Sequence, residues 1–220
     1  QILFFIIAFS FKTDKVTDLS YGLTFISLAL IFLFKSLFEI NQIIITVLIT
    51  IWGLRIAGYL FARILKTGKD KRFDKIRHDF IKFAGFWFFQ AITVWIIMLP
   101  AIIVLSSKEN PGLSLLSAFG LVIWSLGFVI ESVADQQKYN FKSKIENSDK
   151  WIREGFWKYS RHPNYFGEIL VWLGIFIFAI PYLSDLYWFS IISPVFIAFI
   201  LIFISGIPPL EKRYDEKYKD

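Results

Sequence analysis

Residues 159–180 read YSRHPNYFGEILVWLGIFIFAI. Arg161, His162, Asn164 and Glu168 stand at the mouth of a run apolar enough to lie in lipid, where each of those groups is costly to bury. Pro163 suits a first helical position, because its missing N–H is one of the donors that a helix start leaves unpaired anyway. The stretch therefore predicts a membrane helix that begins at His162–Pro163, with Gly155 and the basic residues before it forming an irregular approach. Asn164, Glu168 and Trp172 recur at i, i+4 and i+8 and share one face of that helix. Gly167 and Gly174 leave room for a neighbouring helix or a flat ligand. The N-terminal amides, beside Arg161 and His162, make an end that attracts anions.

Composition fits that reading. Hydrophobic residues make up 56% of the 220, with 26 Phe and 8 Trp, and the mean hydropathy is +0.57. An average soluble domain has roughly 45–50% apolar residues. The chain has no Cys, which removes disulfides and thiolate metal sites. Its two histidines, His78 and His162, are far apart and have no carboxylate cluster at ligand spacing, so no metal is expected.

Apolar runs long enough to span occur at 19–38, 40–63, 80–105, 113–134, 165–183 and 186–207. Turn signals agree with these cuts: Asn110-Pro111-Gly112, Pro181 with Ser184-Asp185, and Pro208-Pro209. The opening run, ILFFIIAFSF from Ile2 to Phe11, is too short to cross roughly 30 Å of hydrocarbon at 1.5 Å per residue. It is expected to be the end of a span that begins before Gln1, or a short anchor. The fold class is thus an all-α, multi-pass membrane bundle of about seven helices, forming a single membrane domain over residues 1–220.

Basic residues set the orientation, since Lys and Arg are retained on the cytoplasmic side. Of 24 Lys and Arg, eight lie between Arg63 and Lys82, seven between Lys138 and Arg161, and four after Leu210. The turns on the other side, near Phe38, near Lys108 and at Asp185, together hold only Lys35 and Lys108. This places the N-terminus outside, the C-terminus in the cytoplasm and the polar site residues on the cytoplasmic face, with the bacterial inner membrane as the expected location. Basic loops of this kind also bind anionic lipid.

Two further helical stripes stand out. In ESVADQQKYNFK, Glu131, Asp135, Lys138 and Lys142 are spaced 4, 3 and 4 apart, a pattern open to a solvated face with internal pairing or to a polar cavity. In WGLRIAGYLFARILK, Arg55, Tyr59 and Arg63 recur every fourth residue. Arg63 can snorkel to the interface, whereas Arg55 lies about two turns deeper and needs an anionic partner from protein or ligand. The basic loop that follows is either a cytoplasmic anchor or a phosphate site. Glu168 likewise either faces a ligand or pairs with Arg55 or Arg161, and His162 is either a helix cap or part of a pocket.

Four blocks, GFWKYSRHPNYFGEILVWLG, ESVADQQKYNFK, WGLRIAGYLFAR with its basic loop, and GIPPLEKRYDEKY, together resemble the DUF1295 family of steroid 5-alpha-reductase-like membrane proteins. The resemblance implies a seven-helix enzyme that binds NADPH from the cytosolic side. Hydride would pass to the beta carbon of a lipophilic enone that enters from the bilayer, while a donor hydrogen-bonds the enolate oxygen. It places Asp135, Asn164 and Glu168 at the cofactor, Arg55 and Tyr59 facing it, and Glu211, Arg213 and Tyr214 on a block that closes the site. Arg63, Glu131, Lys138, Lys142, Arg161, His162 and Tyr165 complete the expected cofactor-binding set, with Tyr59 and Glu168 as candidates for a catalytic role. One departure concerns the substrate end: where the steroid reductases have a Tyr that polarises the ketone, this chain has Trp52, and Glu39, the one acid of the second span, falls on the outer side.

The RHPNYFG segment and the tail with Glu211 and Arg213 also resemble the isoprenylcysteine carboxyl and phospholipid methyltransferases, which use S-adenosylmethionine. A dinucleotide carries several negative charges that would engage Arg55, Arg63 and Lys71-Arg72, and that favours the reductase. A non-catalytic, lipid-binding bundle is the third reading. Membrane lipids are expected partners and nucleic acid is not, since topology and the expected phosphates account for the basic residues.

Overall fold

The computed structural model describes residues 1–70, 73–147, 150–208 and 210–211, and among these it is helical with no strand. The helices are α1 (Ile2–Ser10), α2 (Thr17–Phe34), α3 (Ile40–Thr67), α4 (Phe80–Ser106), α5 (Leu115–Ser143), α6 (Pro163–Ala179) and α7 (Ile192–Phe199). Among the described residues six segments are long and apolar enough to cross a membrane: α2, α3, α4, α5, Pro163–Tyr182 and Asp185–Ile204. The last combines a 3₁₀ segment, α7 and a π turn. Pro194 falls in the first turn of α7, where its absent N–H costs less than in a helix interior.

These segments start and stop close to the apolar runs, with two instructive differences. The helices α3 and α5 run on to Thr67 and Ser143, beyond the apolar ends at 63 and 134. Lipid sets where hydropathy falls, but backbone hydrogen bonding continues through the good helix formers that follow. Conversely, α2 stops at Phe34, where the Ser36 hydroxyl donates to the Leu33 carbonyl and Phe38 adopts a positive φ of 57°.

The chain forms two compact units, Gln1–Gly112 and Leu113–Asp220. In the first, α2 and α3 approach at glycines: a Cβ on Gly22 would lie 2.7 Å from the Gly53 carbonyl oxygen. Beside this contact Trp52, fully buried, meets Phe25 edge-on at 5.1 Å. One end of the unit is closed by amides. Asn41 donates to the Gly112 carbonyl, Gln42 to those of Val104 and Ser107, and Asn110 to the Glu39 carboxylate. The other end is closed by ions: Asp14, 3% exposed, pairs with Arg77 at 3.1 Å and accepts from the Asp70 amide, while Arg63 meets Asp18 at 3.3 Å. The α1–α2 turn and the α3–α4 loop therefore share one end of the unit, as alternating spans require.

In the second unit α5 and α6 pack through two glycines each. A Cβ on Gly120 would lie 2.7 Å from the Gly174 carbonyl oxygen, and one on Gly127 would lie 2.7 Å from that of Gly167. Both pairs are seven residues apart, so two turns of each helix meet backbone to backbone. Lipid gives no hydrophobic drive for helix association, and close packing supplies it instead.

This packing predicts opposite outcomes for two similar changes. Gly127→Ala forces its methyl onto the α6 backbone and should lower stability by about 1–3 kcal/mol. Gly58→Ala, on an open face of α3 with nothing within 4 Å, should be neutral or stabilise by about 0.5–1 kcal/mol. Thermal unfolding of both variants in detergent checks the pair, and equal midpoints would refute the assigned contact.

Candidate functional site

The stripe on α5 divides. Glu131 and Asp135, 2% and 6% exposed, are buried, which excludes a wholly solvated face. The basic half organises the chain that follows. The Lys138 ammonium sits 4.7 Å from the Trp157 ring centre, and Lys142 donates to the Asn147 and Lys150 carbonyls at 3.3 and 2.6 Å. The approach to α6 is fixed on the same helix: Trp157 Nε1 donates to the Ala134 carbonyl at 2.9 Å, and the Phe156 amide donates to Gln137 Oε1 at 3.0 Å. Gly155, with a φ of 57°, lies against the Gln137 side chain, where a Cβ has no room.

The helix α6 begins at Pro163 with His162 in the N-cap position, but the imidazole does not cap it. Instead His162 Nε2 meets Glu211 Oε1 at 2.9 Å, and Arg161 Nη1 meets Glu211 Oε2 at 2.7 Å. Tyr165 stacks on His162 with ring centres 5.4 Å apart. The Arg161 guanidinium lies 5.4 Å from the Trp151 ring centre. One turn in, Asn164 Nδ2 donates to Asp135 Oδ1 at 3.1 Å. Glu168 and Trp172 are buried further along the same face, 8% and 1% exposed. Because Gly167 has no side chain, the α5 backbone at Glu131 packs directly on it, which brings this acid to the polar end of the α5–α6 pair.

Two buried acceptors here have no donor among the described residues: Asn164 Oδ1 and His162 Nδ1. An unpaired buried polar atom costs about 1–3 kcal/mol, so such atoms point to a ligand that brings its own donors. The cluster thus unites Glu131, Asp135, Arg161, His162, Asn164, Tyr165 and Glu211, with Glu168 one turn deeper. Arg55, Tyr59 and Arg63 lie half-buried along one face of α3 in the first unit, with Arg63 engaged by Asp18. Lys71, Arg72, Arg213 and Tyr214 lie outside the described residues. Sequence reading missed Gly120 and Gly127, although their seven-residue spacing repeats that of Gly167 and Gly174. It also missed Gln137, Trp151 and Trp157, for which no local pattern gives a signal.

A family model described as a protein of unknown function, DUF1295, matches residues 4–220. The chain belongs to the DUF1295 family. An uncharacterized protein of Schizosaccharomyces pombe is 24% identical to this DUF1295 protein over 197 residues, covering 77% of the chain and 56% of the relative. The chain therefore spans little more than half of that relative's length. No solved structure matches it.

The Glu211 clamp carries a sign in its pH dependence. Burial holds the His162 imidazole below its ordinary value of 6.5, outweighing the carboxylate beside it. The hydrogen bond from His162, with help from Arg161, holds the Glu211 carboxyl below its ordinary 4.5. Both groups bind fewer protons folded than unfolded, so each adds stability that is full above its ordinary value and lost as pH falls through the lowered one. The parent's midpoint should therefore start to fall as pH drops below about 6.5. His162→Gln should flatten the first part of that decline. A decline unchanged in this variant would show that burial of the His162 imidazole is not its cause.

Proposed function

We propose that this DUF1295 protein is an NADPH-dependent membrane reductase that acts on a carbon–carbon double bond conjugated to a ketone in a lipophilic substrate. The observation that carries the reading is the pair of donor-less buried acceptors, Asn164 Oδ1 and His162 Nδ1, beside the buried carboxylates Glu131, Asp135 and Glu168. An acceptor-rich site of this kind suits ribose hydroxyls and a carboxamide NH₂, the donors a nicotinamide dinucleotide offers. The first amides of α6 would attract its phosphates, as would Arg161 on exchanging Glu211 for phosphate. Asn164 and Asp135 would orient the donor-bearing parts of the cofactor, which when bound supplies the hydride. The clamp of Glu211 on His162 and Arg161 would exclude water from the start of α6. Glu168, in its protonated form, would be the donor of the proton or hydrogen bond that the substrate oxygen needs. The apolar helices would admit the substrate sideways from the bilayer.

One observation favours a second reading, S-adenosylmethionine-dependent methyl transfer. The buried charges of the cluster are acidic, and Arg63 and Arg77 of the basic loop region are already paired with Asp18, Asp14 and Asp74. Buried carboxylates suit a sulfonium and an ammonium better than they suit phosphates.

Thermal unfolding of the purified protein in detergent, titrated with NADPH, NADH and S-adenosylmethionine, separates the two. A ligand that binds only the folded state stabilises it by about 2.7 kcal/mol at a hundred times its Kd. The expected result is a clear rise with NADPH, a smaller one with NADH and none with S-adenosylmethionine. A rise with S-adenosylmethionine alone would replace the reductase with the methyltransferase, and no rise with any of them would sink both. Asn164→Leu should cut NADPH affinity about tenfold, the worth of roughly one hydrogen bond, and unchanged affinity would remove Asn164 from the site.

A further inference from the structure

The second unit carries an open groove of about 280 Å³ lined by Ile130 of α5, Phe156, Tyr159 and Ser160 of the approach, and Pro163 and Phe166 of α6. Its lining is apolar apart from the Ser160 hydroxyl and the tip of Tyr159. The volume lies just below the roughly 300–1,000 Å³ usual for small-molecule sites, so it accommodates a stretch of hydrocarbon chain rather than a whole polycyclic ligand. Two large rings border it in the open, Tyr159 at 83% exposed and Phe166 at 54%. Tyrosine in such a place is typical of the membrane–water boundary. A free cation lies on the approach side: Lys158 precedes Tyr159 in sequence and is exposed, whereas Arg161, after Ser160, is paired with Glu211. Lys158 keeps its ammonium 6.0 Å from the Tyr159 ring centre.

An open apolar groove at the start of a membrane-spanning helix, with the Lys158 ammonium beside the tyrosine that borders it, matches a molecule with an apolar tail and an anionic head. We infer that the groove holds one acyl chain of an anionic phospholipid from the surrounding leaflet, with the lipid phosphate on Lys158. Since Pro163 forms part of the groove wall and also the first residue of α6, the lipid braces the start of the helix that bears the candidate site. The inference stands independently of whether the protein binds a nucleotide.

Native mass spectrometry of the full chain in mild detergent tests it, with phosphatidylglycerol, phosphatidylcholine and diacylglycerol of identical chains as probes. The parent should retain phosphatidylglycerol about fivefold more than phosphatidylcholine, the preference expected from one cation at an anionic head group. Lys158→Glu should abolish that preference, and Ile130→Trp, which fills the groove floor, should lower retention of phosphatidylglycerol to the same level. Equal retention of the two phospholipids by the parent would overturn the inference. So would diacylglycerol held as well as phosphatidylglycerol, which would mark a site for neutral apolar molecules. Loss in Lys158→Glu but not in a folded Ile130→Trp would also overturn it, by reducing the effect to charge attraction without a groove. Should Ile130→Trp fail to fold, Phe166→Glu, at the exposed border of the groove, takes its place with the same two outcomes.

Discussion

In lipid an apolar side chain gains nothing by leaving one hydrocarbon environment for another, so helices of this protein associate where their backbones can touch. Gly120 and Gly127 on α5 meet Gly174 and Gly167 on α6, and Gly22 on α2 meets Gly53 on α3. At these contacts even a methyl group would collide with backbone atoms of the facing helix. Dispersion between closely packed surfaces then replaces the hydrophobic effect as the source of cohesion.

Close approach has a chemical consequence in the second unit. With α6 drawn against α5, Glu131 and Asp135 are taken out of solvent, and Asn164 reaches Asp135. The loop between the helices is tied down by Trp157, Gln137 and Lys142, which fixes where Arg161 and His162 emerge. Carboxylates buried in this way are expensive unless they are satisfied, and a membrane chain retains such groups where they serve a ligand or a path. The unpaired acceptors of Asn164 and His162 point the same way.

The first unit handles charge differently. Two of its acids are matched internally, Asp14 with Arg77 and Asp18 with Arg63, and these pairs hold the α1–α2 turn to the α3–α4 loop. The opposite end is closed by neutral amides and the Glu39–Asn110 bond, with no need for a dense basic cluster. Ion pairs at one end and amides at the other mirror the uneven distribution of Lys and Arg along the sequence.

Hydropathy alone located the spans, because a membrane helix needs about 20 apolar residues and few other structures in this chain have them. Pro163 after His162 marked the start of α6, since only an N-terminal turn tolerates proline without losing a bond. The i, i+4, i+8 pattern put Asn164, Glu168 and Trp172 on one face, because helical geometry makes that local. Other features were invisible in one dimension. That His162 turns to Glu211 instead of capping α6 depends on a partner 49 residues away. That Lys142 serves loop carbonyls, while Asp135 is buried against Asn164, depends on which side of α5 the glycines pull toward α6. Periodicity specifies what a helix offers on each face, but only packing against a distant segment decides which face is buried, and burial is what turns an ordinary carboxylate or imidazole into a site.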